Sequence, residues 1–371
     1  MRYDQNKLGI LKKFLYKSNN NKDEKEVNMD NKTFKAMVVR ETEKGKFERK
    51  VEEKNINDLP EGEVIIRVKY SSLNYKDALS ATGNKGVTKN YPHTPGIDAA
   101  GIVEESKNPD YKKGDQVIVT GFDLGMNTSG GWGEYIRVPA AWLIRKPEGL
   151  TLKESMIYGT AGFTGALSVY QLVNVGKAQK KDGNFIISGA SGGVGGHALR
   201  IMAKLGFKTI AVCGLMEDPE KEFSKFRKEL MEQGADEVIA PKEVDLEPDK
   251  PLVKPRWAGG IDTVGGDVLG AILKATDYMG SVTNCGNAGG HKLNITVFPF
   301  ILNGVNLLGI ESGKCPMNIR SKIWEHLSGD WKADNLEDAL DSVVTLEKLD
   351  EKIKQILDGK LTGRVVVSLE E

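Results

Sequence analysis

Gly189, Gly192, Gly193, Gly195 and Gly196 follow directly on the apolar run Phe185-Ile186-Ile187. Residues of this type, crowded in this way, suit one piece of chemistry: holding a pyrophosphate. Glycines let a backbone approach phosphate oxygens closely. A helix starting near Gly195 would aim its free N–H groups and positive dipole end at them. The spacing Ala190-x-x-Gly193-x-x-Gly196 departs from the strict G-x-G-x-x-G and is weak alone. Its surroundings strengthen it. Ala198, Leu199, Ile201, Met202 and Leu205 continue an apolar helical face, Gly206 ends the helix, and Thr209 to Cys213 reads as a second apolar strand. A flexible linker would need none of these flanking elements.

The turn needs a scaffold, and hydropathy outlines one. From Phe34 to Leu143 the chain reads as β-rich. Apolar runs at Met37–Val39, Val64–Val68, Ile102–Val103, Val117–Val119 and Tyr135–Val138 are parted by turn clusters such as Lys113-Gly114-Asp115. From Met156 to Ile310 short strands alternate with helical segments, the rhythm of a parallel sheet. The strand candidates there are Phe185–Ile187, Thr209–Cys213, Glu237–Ile239, Ile261–Val264, Ser281–Cys285 and Asn306–Ile310. After Asn318 the pattern predicts amphipathic helices, with Leu346, Leu349, Ile353, Ile356 and Leu357 on one face, and a last strand at Val365–Leu369.

Composition is that of an ordinary enzyme. The 371 residues carry 52 basic and 52 acidic side chains, a balance that points away from nucleic acid as a partner. No apolar run approaches the ~20 residues of a membrane span. Cys213, Cys285 and Cys315 lie far apart and fit a reduced compartment, so a cytoplasmic setting is expected. Residues 1–32 read as a disordered extension, with Met29 as an alternative start.

A set of motifs occurs in order along the chain. They are Ser71-Ser72-Leu73-Asn74-Tyr75-Lys76-Asp77-Ala78-Leu79, Pro95-Gly96-Ile97-Asp98 and Gly159-Thr160-Ala161-Gly162-Phe163-Thr164. The glycine turn follows, then Ile261-Asp262-Thr263-Val264-Gly265 and Pro299-Phe300-Ile301-Leu302. Together they resemble the medium-chain dehydrogenase/reductase superfamily, and within it the acrylyl-CoA reductase group of quinone-oxidoreductase-like proteins. The resemblance implies an α/β fold with a discontinuous, β-rich GroES-like catalytic domain, residues 33–157 and 314–371. A doubly wound, parallel-sheet Rossmann domain, residues 158–313, is inserted between its parts. It implies a homodimer, with a small-molecule acyl-CoA or enone as substrate.

Zinc alcohol dehydrogenases share this architecture, and their zinc is held by Cys, His and Cys. The corresponding positions here are Asn74, Ile97 and Thr160, none of which offers the thiolate or imidazole that zinc prefers. The four histidines are scattered. No metal site is expected. An activated alkene then suits the chemistry better than an alcohol. Conjugation to a thioester makes the β carbon a hydride acceptor, donors must steady the thioester oxygen, and Cα takes a proton. Tyr75 is the candidate for touching nicotinamide or substrate, with Asn74 and Asp77 as positioning neighbours. Equally, Tyr75 could only pack on the cofactor and Asp77 only brace its helix.

The resemblance implies NADP(H), with phosphate contacts at Ser191, Gly192, Gly193 and Val194. Family members carry Ser-Gly-Arg at the end of the second strand, where this chain has Cys213-Gly214-Leu215. Lys221, Lys225 or Lys242 could restore the lost charge, and Glu217 or Asp218 could instead grip ribose hydroxyls. Asn287, Ile301 and Ser312 are implied around the nicotinamide, and Arg320 and Lys322 are candidates for the phosphates of CoA. Three functions stay open: an enoyl-CoA reductase, a quinone or enone reductase, and a non-catalytic dinucleotide-binding protein.

Overall fold

The computed structural model describes residues 32–214, 219–245, 247 and 249–370. Residues 1–31 lie outside them, as do Leu215, Glu217 and Asp218 and the Lys221 side chain.

In chain order the first elements are β1 (Thr33–Glu43), β2 (Lys46–Asn55), β3 (Val64–Leu73), α1 (Tyr75–Ala81), β4 (Asp98–Ser106), β5 (Gln116–Thr120), β6 (Tyr135–Val138) and β7 (Ile144–Arg145). A long helix, α2 (Leu152–Asn174), leads into β8 (Asn184–Ser188), α3 (Gly193–Lys204), β9 (Lys208–Val212), α4 (Pro219–Glu232) and β10 (Glu237–Ile239). Next come β11 (Trp257–Asp262), α5 (Gly266–Lys274), β12 (Thr276–Asn284), α6 (Phe298–Asn303) and β13 (Asn306–Gly309). The chain ends with α7 (Met317–Ser328), β14 (Leu340–Val344), α8 (Leu349–Leu357) and β15 (Arg364–Ser368).

Six strands form a parallel sheet in the order β10-β9-β8-β11-β12-β13. Both faces of its central strands are covered, which is why β8 and β9 read as continuous apolar runs. On one face Phe185 and Ile187 pack with Leu199, Ile201 and Met202 of α3; on the other Ile186 packs with Leu269, Ile272 and Leu273 of α5. Each such side chain contributes about 1.5–3 kcal/mol by leaving water. This is the doubly wound arrangement expected. No helix among the described residues is long and apolar enough to cross a membrane.

The second large sheet draws on both ends of the chain, in the order β14-β15-β3-β4-β5-β7, with β6 also pairing β3. β15 runs antiparallel to β3, with Val365 opposite Leu73. That register sets Arg364 beside Asn74. β2 and β14 were not read from sequence. In β2 the half-buried Phe47 and Val51 are interleaved with charges, and β14 is a short run inside a stretch that otherwise reads as helical.

α2 joins the two sheets, packing on β3 and β4 and on α3. Thr151 and Glu154 cap its start reciprocally. It is broken at Gly159, where φ is +50° and ψ −155°. Only glycine suits that left-handed backbone, and an added Cβ would lie 2.6 Å from Asp98 Oδ2. The kink frees the N–H of Thr160 to reach Asp98, and so helps build the site.

Candidate active site

The glycine turn is built as its spacing suggests. Gly189 has a φ of +61°, Gly192 is the N-cap, and α3 begins at Gly193, two residues earlier than expected. The bond from Gly196 N to Gly192 O, 2.8 Å long, closes the first turn. It leaves the N–H groups of Gly193, Val194 and Gly195 without intrahelical partners. A side chain at Gly195 would meet Gly189 O at 2.3 Å, so the helix can approach the strand only because that residue is glycine. Ser191 is half-buried and Gly192 exposed on this turn. The adjoining loops after β11 and β12 reach the same carboxyl edge, where Thr263 Oγ1 donates to Ser188 O and Gly289 N to Val264 O. The residues fit a dinucleotide phosphate: a glycine cradle opening a 12-residue helix, with a buried cation behind it.

That cation is Arg364, which sequence reasoning missed. It is 4% exposed and opens β15. Nε donates to Ile157 O (3.1 Å), and Nη1 donates to Leu73 O and Asn74 Oδ1 (both 3.2 Å). Nη2 is buried with no hydrogen-bond partner. Its Cδ would lie 3.1 Å from a Cβ placed on Gly193. Burial pulls its pKa down, and the carboxyls of Asp98 and then Asp77 oppose that. The sequence signal was a lone arginine ahead of three buried valines, Val365 to Val367.

Around Asn74 lies a dense polar cluster. Asn74 Nδ2 donates to Asp98 Oδ2 (2.8 Å) and Asp77 Oδ2 (3.0 Å). Asp77 Oδ2 also accepts from Asn74 N (2.8 Å), and its Oδ1 accepts from Ile97 N (2.8 Å). Asp77 thus ties the α1 start to the Pro95–Asp98 segment and, being fully buried, faces no substrate-sized space of its own. Asn74, Ile97 and Thr160, the counterparts of the zinc ligands, do converge. However, Asn74 and Thr160 spend their side chains on Asp98, and Ile97 contributes its backbone N–H. Among the described residues no group of three or more His, Cys, Asp or Glu is arranged to hold a metal ion.

Burial, followed by the nearby Asp98, pushes the Asp77 pKa up to about 7. The folded value lies above the unfolded one, so this contribution to stability is fully present below about pH 4 and is lost as pH rises towards 7. Stability should therefore fall across that window by up to about 1.4 kcal/mol per pH unit from this group. Urea unfolding at closely spaced pH values tests this, and Asp77→Asn should flatten the slope. An unchanged slope would assign the titration elsewhere.

Tyr75 stands at the edge of the cluster, first residue of α1 and 56% exposed. Its ring and the neighbouring Lys76 are the exposed side chains at the start of this helix. Ser312 joins the same seam, because Thr164 Oγ1 is bonded to Ser312 Oγ (2.8 Å) and to Thr160 O (2.7 Å). Other candidates lie further out. Asn287 is exposed in the loop after β12, Lys242 is exposed in the turn after β10, next to the end of β9 at Cys213-Gly214, and Ile301 is exposed on α6.

Arg320 corrects an expectation. Far from offering charge to CoA, it is 1% exposed. Nη1 donates to Thr120 O and Oγ1 (both 2.9 Å), Nη2 to Ser312 O (2.8 Å) and Gly313 O (3.0 Å). Its guanidinium lies between the rings of Phe122 and Phe163. The helix periodicity of α7 turns residue 320 inward and leaves Lys322 exposed.

Comparison with known proteins agrees with this architecture. The family described as Alcohol dehydrogenase GroES-like domain matches residues 60–148. The acrylyl-CoA reductase AcuI of Ruegeria pomeroyi is 41% identical over 337 residues, covering 91% of this chain and 99% of that protein. YhfP of Bacillus subtilis, which carries a quinone oxidoreductase name, is 43% identical over 84% of this chain and 92% of its own length. Its structure with NAD bound superposes with a TM-score of 0.86. The yhdH oxidoreductase of Salmonella enterica in complex with NADP gives a TM-score of 0.84 at 36% identity, covering 91% of this chain and all of that one. The chain thus belongs to the medium-chain dehydrogenase/reductase superfamily, in the group that includes proteins named acrylyl-CoA reductase and quinone oxidoreductase.

Proposed function

We propose that this protein is an NADPH-dependent oxidoreductase that reduces the C=C bond of a short α,β-unsaturated acyl-CoA without a metal. The observation that carries this reading is the juxtaposition of two features. A glycine turn backed by Arg364 suits a dinucleotide phosphate, and beside it two of the three positions that hold zinc in the alcohol dehydrogenases, Asn74 and Thr160, are tied up in hydrogen bonds to Asp98, while the third, Ile97, has no side-chain ligand to offer. When bound, NADPH supplies a hydride. The N–H groups at the start of α3 and the Arg364 guanidinium would hold its pyrophosphate. Tyr75, exposed and carrying a phenolic proton, would face the acceptor and deliver the proton to Cα or steady the thioester oxygen. Lys242, exposed at the β9 edge, would favour the 2′-phosphate as a point charge, in place of the bidentate pairing an arginine gives.

The test is one steady-state panel: acrylyl-CoA, crotonyl-CoA and a quinone, each with NADPH and NADH. The acyl-CoA substrates should saturate at the lowest concentrations, and kcat/KM should favour NADPH by about tenfold to a hundredfold, or ~1.4–2.8 kcal/mol. Saturation by the quinone alone would assign the protein to the quinone and enone reductases. A preference for NADH would move the ribose contact to Glu217 or Asp218. Activity should survive a chelator, and stoichiometric zinc lost together with activity would overturn the metal-free reading.

The reading extends to a homodimer. β13 is an outer strand of the parallel sheet with Leu307 exposed, and Val297, Phe298, Ile301 and Leu302 are exposed alongside on and next to α6. An apolar strand edge of this kind invites pairing with a second copy. Leu307→Lys should shift the sedimenting species from dimer to monomer, and a wild type that sediments as a monomer would exclude the assembly.

A further inference from the structure

Asp98 takes no part in the chemistry outlined above, yet it is the most heavily bonded carboxyl in the seam. It is wholly buried. Oδ2 accepts from Ser72 Oγ (2.6 Å), Asn74 Nδ2 (2.8 Å) and Thr160 N (2.9 Å), and Oδ1 from Thr160 Oγ1 (2.6 Å). We propose that Asp98 is a positioning residue for cofactor binding: by anchoring the Asn74 amide, it keeps Arg364 fixed beneath the glycine turn.

Asn74 is held in one orientation. Its NH2 group is spent on two carboxyls, Asp98 and Asp77, so its oxygen is left facing Arg364 Nη1 at 3.2 Å. A flipped amide would set its oxygen against Asp98 Oδ2, already the acceptor of two further donors, and its NH2 against a guanidinium. Both contacts are repulsive, and burial magnifies them. Asp98, the nearer of the two acceptors, with Asp77 beside it, therefore fixes which end of the amide meets Arg364. Arg364 in turn lies against Gly193, within about a van der Waals contact of where a Cβ there would sit. Two hydrogen bonds thus separate Asp98 from the phosphate cradle. The contrasting role is purely architectural, in which Asp98 only satisfies the donors freed by the α2 kink at Gly159.

The inference rests on the glycine turn being the cofactor site, and the experiment separates the two. NADPH affinity is titrated by fluorescence for wild type, Asp98→Asn and Asp98→Ala, with acceptor KM, kcat and the urea midpoint measured on the same samples. Asp98→Asn can retain the geometry: its oxygen keeps the three donors on Oδ2, and its NH2 replaces Oδ1 and donates to a reversed Thr160 hydroxyl. It should hold the NADPH Kd within about threefold, whereas Asp98→Ala removes the nearer of the two carboxyls that orient Asn74 and should raise the Kd at least about tenfold with acceptor KM unmoved. Equal losses in both variants, or a folded Asp98→Ala protein with wild-type Kd, would overturn the inference while leaving the cofactor site intact. If Asp98→Ala does not fold, Asn74→Ala cuts the same relay with Asp98 in place. It should raise the Kd similarly, and an unchanged Kd there also overturns it. A wild type that fails to bind NADPH would overturn both this inference and the cofactor reading.

Discussion

Replacing Arg320 with methionine should lower the stability of the protein by about 3 kcal/mol, of order 2–5. Methionine keeps much of the volume and can lie between Phe122 and Phe163 as the guanidinium does. What it cannot do is donate. Thr120 O, Thr120 Oγ1, Ser312 O and Gly313 O would each lose a charged donor in a buried seam. An unmade bond to a buried acceptor costs about 1–3 kcal/mol, and removing a buried cation returns part of that because its desolvation is relieved. Burial already pulls the Arg320 pKa down, a sign of the same desolvation. The check is urea unfolding of wild type and Arg320→Met. A lower midpoint with an unchanged slope is expected. Arg320→Lys should recover only part, since one ammonium cannot span both Thr120 and the Ser312–Gly313 carbonyls. A variant of wild-type stability that had lost affinity for acyl-CoA would return Arg320 to a CoA-phosphate role.

Why Arg320 reads from sequence as a charge open to CoA, while the strand–turn–helix around Gly193 is legible, comes down to the range of the signal. The turn is local: strand, glycines, apolar helical face and second strand lie within about thirty residues, and each carries its own pattern. The parallel sheet is legible for the same reason, since strands covered on both faces are continuous apolar runs. A charged residue on a helix, by contrast, is usually solvated. Only the packing of α7 against Thr120 and Phe163, far away in sequence, turns residue 320 inward. Arg364 is harder still, because its partners Leu73 and Asn74 reach it only through the pairing of β15 with β3. Asp98 was in plain view within Pro95-Gly96-Ile97-Asp98. Its importance depends on a helix break at Gly159 that no periodicity reports. β2 was hidden by its charges, since the alternation of Phe47, Arg49 and Val51 with lysines and glutamates reads as a solvated segment.

Replacing Gly193 with valine should raise the NADPH dissociation constant by about a hundredfold, ~2.8 kcal/mol. From spacing alone, a side chain there crowds the backbone away from a pyrophosphate. The structure gives a more specific cause. A Cβ at Gly193 would point back into the seam, 3.1 Å from Arg364 Cδ and 3.3 Å from Ala161 Cβ. Arg364 cannot easily move aside, because Ile157 O, Leu73 O and Asn74 Oδ1 hold it. Ala161 is part of α2, which is packed on both sheets. The turn itself must yield, and with it the N–H groups of Gly193 and Val194 that open α3. Misplacing such donors by a fraction of an ångström costs them most of their value to a bound phosphate. A graded series sharpens the test. Gly193→Ala adds only the Cβ, which its neighbours can admit by shifting a few tenths of an ångström, so its Kd should rise by no more than about fivefold. Gly193→Val adds two methyl groups on a stiff β-branched side chain and exceeds what the seam can absorb. Affinity measured on variants that remain folded should therefore fall in steps from glycine to alanine to valine. A folded Gly193→Val protein that binds NADPH as tightly as wild type would remove this turn from the cofactor site, and Arg364 with it.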